Sequence, residues 1–288
     1  MPIRVHIGGS ICPPEEAKVS VFDRGFLYGD SVYETIGTAY GRLFAARDHL
    51  YRLERSAERI GLRAPPRAAV ERAIAETMEA AGFPESRVRV ILTRGSGKLD
   101  LDPASVDDTQ LIVIVFPLGA PTPEMYEKGV AVAIVSITRN SPLAIDPAVK
   151  SGNYLNNVLA LGEARRRNKA YEAILCGGDG SIAEGSTSNI FMVKGGEVGT
   201  PPPEAGILDG ITRAKVLELC RGNAIPLVER RISPDELRGA DEAFITSATR
   251  GVLPVTTIDE KPVGGGTPGP VTRKLIGLYD ALARRGVD

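Results

Sequence analysis

Lys150 Ser151 Gly152 Asn153 Tyr154 Leu155 Asn156 Asn157 Val158 Leu159 Ala160 Leu161 Gly162 Glu163 Ala164 is a lysine, a small-residue turn, and then a segment that places Leu155, Val158, Leu159 and Leu161 on or near one face of a helix. The approach, Ile145 Asp146 Pro147 Ala148 Val149, is apolar and marked by proline. These surroundings predict an enclosed lysine. An ammonium is costly to bury unless paired or neutralised, so a lysine there is a candidate amine nucleophile of the kind that forms a Schiff base with a carbonyl. Spacing alone does not separate Lys150 from the solvated surface charge that most lysines are.

The rest of the composition narrows the field. At 288 residues the chain is long enough for two domains with cores of their own, and 43% apolar with 25% charged residues is ordinary for a globular protein. A formal net charge of -1 without a basic run gives no footing for nucleic acid or an acidic membrane surface. Apolar runs such as Leu111–Phe116 are too short to cross a bilayer, and Met1–Ser10 has no apolar signal core, so a cytoplasmic protein is expected. Cys12, Cys176 and Cys220 are widely spaced and read as reduced thiols. The two histidines, His6 and His49, lie in no metal or triad motif and read as structural, so no metal is expected.

Two segments carry a resemblance. Lys150 Ser151 Gly152 Asn153 Tyr154 Leu155 Asn156 Asn157 resembles the cofactor-lysine segment of the class IV, or fold-type IV, pyridoxal-phosphate transaminases, which group branched-chain aminotransferases, D-amino-acid transaminases and aminodeoxychorismate lyases. Ile182 Ala183 Glu184 Gly185 Ser186 Thr187 Ser188 Asn189 Ile190 Phe191 resembles the family's other main signature, at the family's separation. The pattern is most similar to the branched-chain enzymes. The resemblance implies a two-domain mixed α+β fold of the D-amino-acid-aminotransferase type, pyridoxal 5'-phosphate held as an imine on Lys150, and a homodimer.

Along the chain, Asp23–Asp30 is a charged, glycine-bearing loop before the strand Ser31–Ile36, whose Tyr33 matches a tyrosine that faces substrate in the family; a core tyrosine is the alternative. Asp48–Gly61 and Arg67–Ala81 have helical spacing. Within the first, His49 Leu50 Tyr51 Arg52 Leu53 resembles the stretch whose arginine binds the cofactor phosphate, a task suited to a guanidinium's paired donors. Arg87–Thr93 and Gln110–Phe116 read as strands. Pro117–Pro123 is proline-rich, which predicts a smaller N-terminal domain over residues 1–118, a linker over 119–128 and a larger cofactor-lysine domain over 129–288.

In that second domain Ala173–Cys176, Gly177–Gly180 and Ser181 onward form a hairpin signal, with the glycines as a tight turn rather than a nucleotide cradle. Glu184 follows it. A carboxylate beside a pyridine nitrogen favours the protonated ring, which makes the ring an electron sink. Gly206–Arg213 opens a helix whose first backbone donors and Thr212 hydroxyl suit an anion. The resemblance assigns Arg52, Tyr154, Glu184, Ser188, Asn189, Ile211, Thr212, Ser247 and Ala248 to the cofactor, with Lys150 as covalent anchor and general base.

Substrate assignments rest on Tyr33, Arg87, Arg89, Thr249 and Arg250. The chain lacks the Ser-Pro-Arg-any-His trap of well-known D-amino-acid transaminases. It keeps Arg89 of the branched-chain Tyr-any-Arg pair and a similar loop ending in Asp102 Pro103, but Arg87 stands where the tyrosine would be. Arg250 also replaces a residue that is small in many branched-chain enzymes, and with Arg87 it could hold a carboxylate. The expected reaction is ping-pong transamination of a branched-chain type amino acid with 2-oxoglutarate. D-amino-acid transamination and 4-amino-4-deoxychorismate cleavage are the alternatives.

Overall fold

Alternation decides the first sheet. In β5 (Ser86–Thr93) the residues Ser86, Val88, Val90 and Leu92 are buried, while Arg87, Arg89 and Ile91 turn to the opposite face. The computed structural model describes residues 2–119 and 121–287, and it divides into two compact units, one of residues 2–119, 149–153 and 286–287, the other of 121–148 and 154–285. Both are mixed α+β.

The first unit is built on β1 (Arg4–Ile7), β2 (Ser10–Cys12), α1 (Arg24–Tyr28), β3 (Ser31–Ala39), β4 (Arg42–Leu43), α2 (Ala46–Arg59), α3 (Arg67–Ala81), β5 and β6 (Gln110–Pro117). Its strands pair antiparallel in the order β2-β1-β6-β5-β3-β4. Helices α2 and α3 cover one face, where Leu50, Leu53, Ala57, Val70 and Ile74 meet Val32, Ile36, Val88, Val90 and Val113. Burial at this level contributes about 1.5–3 kcal/mol per large aliphatic side chain.

The second unit runs α4 (Pro123–Lys128), β7 (Val130–Ile134), α5 (Leu155–Asn168), β8 (Glu172–Cys176), β9 (Ile182–Gly185), β10 (Asn189–Lys194), β11 (Glu197–Thr200), α6 (Ile211–Gly222), β12 (Leu227–Glu229), α7 (Pro234–Arg238), β13 (Glu242–Ser247), β14 (Gly251–Ile258), β15 (Lys261–Pro262) and α8 (Pro270–Arg285). Its sheet has the order β12-β11-β10-β13-β14-β7-β8-β9, with β15 beside β14. One face packs on Leu237 of α7 through Ile190, Ile245 and Leu253. The other presents Phe191 and Phe244, stacked 4.7 Å apart, to α6 and α8. Among the described residues no helix is long and apolar enough to cross a membrane.

Three expectations change in detail. Residues 123–128 of the expected linker form α4, begun by Pro123 at a position where a missing N–H costs nothing. The lysine segment, expected in the C-terminal domain, groups with the first unit at residues 149–153, because its backbone pairs with β3. Helix α5 starts at Leu155 rather than near Gly152, and its buried face is Asn157, Ala160, Glu163 and Ala164. Small residues there let α5 lie close on Ala133, Ala173 and Leu175, which turns Leu155, Val158 and Leu159 to solvent at 70%, 61% and 51% exposure.

Candidate active site

Backbone bonds fix Lys150 before its side chain is considered. Tyr33 N–H donates to the Lys150 carbonyl at 2.9 Å, Lys150 N–H donates to Ser56 Oγ at 3.2 Å, and Gly152 N–H donates to the Ser31 carbonyl at 2.8 Å. Ser151 bridges Val32 on β3. The chain comes so near that a Cβ on Gly152 would lie 2.2 Å from Ser31 Oγ, which explains the small-residue turn after the lysine. Lys150 is half-buried, with Nζ 4.6 Å from the centre of the Tyr33 ring.

Strand register then sorts the neighbours onto two faces. Tyr33 opposes Ile91, Thr35 opposes Arg89 and Gly37 opposes Arg87 on β5, while Ile114 and Phe116 of β6 flank the two arginines. Tyr33, Arg87 and Arg89 therefore share the face turned away from α2 and α3. Arg89 Cζ lies 3.8 Å from the centre of the buried Tyr33 ring, and Arg87 Cζ lies 4.2 Å from that of Phe116.

Glu34, one residue on, points the other way and is completely buried beneath α2. Arg52 Nε donates to its Oε1 at 2.6 Å and Arg52 Nη2 to its Oε2 at 2.9 Å, while His49 Nδ1 lies 2.7 Å from Oε2. Burial pushes the Glu34 carboxyl up, but Arg52 and His49 outweigh it and hold the group well below the usual carboxylate range. Burial, only partly offset by Glu34, holds the His49 imidazole below its ordinary value. The paired grip expected between Arg52 and phosphate oxygens is thus made with Glu34.

In the second unit Glu184 sits on β9, buried, with Arg139 Nε donating at 2.8 Å to Oε1, and Leu208 N–H at 3.0 Å and Asn189 Nδ2 at 3.3 Å donating to Oε2. Asn189 also donates to the Leu208 carbonyl at 2.9 Å. A Cβ on Gly210 would come 1.9 Å from Asn189 Oδ1, so the close approach of this loop to Asn189 requires glycine. Gly210 caps α6 with no side chain, which leaves its first N–H groups, at Ile211 and Thr212, without a side-chain acceptor from the cap.

A second cluster joins the remaining loops. Arg250 Nε donates to Ser247 Oγ at 2.7 Å, Nη1 to Glu172 Oε2 at 2.6 Å, and Nη2 to the Thr187 carbonyl at 2.7 Å. Glu172 in turn accepts from Ser186 Oγ, from Thr187 N–H at 2.9 Å and from Thr187 Oγ1 at 2.8 Å. Ser247, Ala248 and Thr249 form the half-buried turn from β13 to β14. Arg250 was expected to meet substrate, but its guanidinium is buried and directed to these protein groups, because the turn needs a cation opposite Glu172.

The structure brings Lys150, Tyr33, Arg87, Arg89 and Arg52 together in the first unit. It gathers Glu184, Ser188, Asn189, Ile211, Thr212, Ser247, Ala248, Thr249 and Arg250 in the second, where Tyr154 is the residue before α5. Residues the sequence reading passed over are Glu34, Ser56, Arg139 and Glu172. Glu34 carried a readable signal, since a carboxylate beside Tyr33 on an alternating strand must face the helices.

The second unit's atoms fit a phosphorylated pyridine. The hydroxyls of Ser188 and Thr246 are buried with no hydrogen-bond partner among the described residues, and the start of α6 offers N–H groups to an anion. A dianionic phosphate there would gain about 1.5–3 kcal/mol from each charge-assisted hydrogen bond. The oriented Glu184 carboxylate suits a protonated ring nitrogen.

Comparison with known proteins agrees. The family model described as amino-transferase class IV matches residues 31–258. D-alanine aminotransferase of Bacillus licheniformis is 34% identical over 274 residues, covering 95% of this chain and 94% of the relative. Branched-chain amino acid aminotransferase of Escherichia coli superposes with a TM-score of 0.90 at 30% identity, covering 96% of this chain and 94% of the other. The branched-chain amino acid aminotransferase of T.th. with pyridoxamine 5'-phosphate does so with a TM-score of 0.90 at 32% identity, covering 96% and 92%.

Proposed function

Because the chain belongs to the class IV aminotransferases, we propose that it moves an amino group from an amino acid, branched-chain type favoured, to a 2-oxo acid such as 2-oxoglutarate, in two half-reactions with pyridoxal 5'-phosphate. Members of this family are pyridoxal-phosphate enzymes, and the cofactor supplies an electron sink for the substrate's α carbon. The observation that carries the reading is Lys150, whose carbonyl accepts from Tyr33 N–H, whose N–H donates to Ser56 Oγ, and whose amine is turned onto the Tyr33 ring.

Lys150 would carry the cofactor covalently and, as the free amine, shuttle the α proton. Glu184, held by Arg139, would keep the ring nitrogen protonated. Ile211, Thr212, Ser247 and Ala248 would hold the phosphate, with Ser188 and Asn189 shaping the loop beside it and Arg52 lending positive charge from its Glu34 mount. Tyr154 would support the ring. Tyr33, Arg89 and Thr249 would meet substrate. We place the enzyme in the cytoplasm, in amino acid metabolism, as a homodimer, for which the solvent-facing Leu155, Val158 and Leu159 are a suitable surface.

D-amino-acid transamination is the second reading, favoured by the match to a D-alanine aminotransferase. Elimination from 4-amino-4-deoxychorismate is the third. A panel of L and D donors with 2-oxoglutarate and pyruvate, read by keto acid formation, separates the first two, and release of pyruvate and 4-aminobenzoate from 4-amino-4-deoxychorismate without any keto acid acceptor marks the third. Lys150→Ala should abolish both turnover and the borohydride-reducible visible band of the loaded protein. Persistence of that band would remove the basis of the reading.

A further inference from the structure

Among the described residues the buried arginines are all spent on carboxylates, Arg24 and Arg94 on Asp30, Arg213 on Glu229 and Arg250 on Glu172, whereas Arg89 is half-buried and Arg87 exposed. Arg87 and Arg89 are different. Among the described residues neither forms an ion pair or a side-chain hydrogen bond, although they stand two apart on one strand and face the same side. Adjacent side chains on one face of a strand are about 6–7 Å apart at the backbone, so two like charges are held side by side. Burial and the neighbouring Arg89 cation both push the Arg87 guanidinium below its ordinary value. That repulsion is relieved by an anion.

Each guanidinium is also held against an aromatic ring. Arg89 lies on Tyr33 and Arg87 on Phe116, with Cζ 3.8 and 4.2 Å from the ring centres. A guanidinium attracted to an aromatic ring in this way keeps donors free for a planar acceptor such as a carboxylate. Tyr33 is the ring that also meets Lys150 Nζ, so Arg89 shares that ring with the amine and Arg87 is the next residue along the same face.

We propose that Arg87 joins Arg89 in a two-guanidinium clamp for the side-chain carboxylate of a dicarboxylic substrate, so that four- and five-carbon dicarboxylic amino and 2-oxo acids are bound in preference to purely aliphatic ones. This rests on the transaminase reading above and revises its choice of donor, a dicarboxylic amino acid taking the place of the branched-chain type. Stacking of Arg87 on Phe116 as mere surface packing is the competing account, and it calls for no effect on substrate choice.

The test uses the pyridoxal-phosphate-loaded protein. Calorimetric titration with glutarate and with pentanoate, which has the same chain length and one carboxylate, should show glutarate binding about 10- to 100-fold tighter, the range set by one to two charge-assisted bonds. Raising salt should weaken glutarate more than pentanoate. In Arg87→Met, the ratio of kcat/KM for glutamate to that for leucine should fall by about tenfold or more, and Arg87→Lys should retain part of it. Equal binding of glutarate and pentanoate by the unaltered protein overturns the clamp. So does an Arg87→Met ratio that stays unchanged while the melting temperature falls, the signature of packing alone. Failure of the transaminase reading looks different: no donor of any class is turned over.

Discussion

Glu172 Oε2 accepts a hydrogen bond from Arg250 Nη1 at 2.6 Å, and both side chains are buried. The same arginine reaches Ser247 and Thr187, so one cation ties the β13–β14 turn to the loop before β10. Breaking a buried pair from one side leaves the other charge stranded, at a cost of about 3–5 kcal/mol. Arg250→Met should lose stability of that order in chemical denaturation, and adding Glu172→Gln should recover part of it. Additive losses in the double variant would show that the pair is not coupled.

Arg52 and Glu34 make the corresponding pair in the first unit, with His49 on the same carboxylate. Glu34→Gln keeps the shape and removes the charge that aligns the Arg52 fork, so cofactor retention should drop before the fold does. Equilibrium dialysis against pyridoxal phosphate should show weaker binding by about tenfold, the equivalent of about 1.4 kcal/mol, with unfolding still cooperative. Retention equal to that of the unaltered protein would mean that Arg52 does not act on the cofactor through this mount.

Much of this architecture could be read from the chain, for physical reasons that differ by element. Helix α3 matched residues 67–81 because Gly82 in a left-handed turn ends it sharply. The β8–β9 hairpin followed from Gly177–Gly180 between two apolar runs. Periodicity found α5 and the face its leucines share but not that this face meets solvent while alanines meet the sheet, since a pattern tells which residues share a face and not what lies opposite. The destination of Arg250 was equally hidden. Glu172, its partner, is 78 residues away, and nothing local marks that pairing.

That solvent-facing stripe leads to a prediction of its own. Leu155, Val158 and Leu159 lie at i, i+3 and i+4 on α5, a compact apolar patch for a second copy to cover. Val158→Asp together with Leu159→Asp should convert a dimer to monomer in light scattering coupled to gel filtration. The far-ultraviolet spectrum should stay intact, because both side chains are more than half exposed. An unchanged molar mass would put any dimer contact elsewhere.

Acid should weaken the first unit in two stages. His49 is held below its ordinary value by burial, so on lowering pH through about 6.5 the unfolded imidazole takes a proton that the folded one does not. The unfolded state then binds more protons, and stability falls as pH falls. Glu34 is depressed as well, so its stabilising contribution is complete above the ordinary carboxylate range and is lost as pH drops below about 4. One proton changes stability by at most about 1.4 kcal/mol per pH unit. Guanidinium unfolding of the cofactor-free protein at pH 7, 6 and 5 should show the first stage. His49→Gln, whose amide can still donate to Glu34 but cannot titrate, should flatten it while leaving the loss near pH 4 in place. A slope between pH 7 and 5 that survives His49→Gln would assign the first stage to another group.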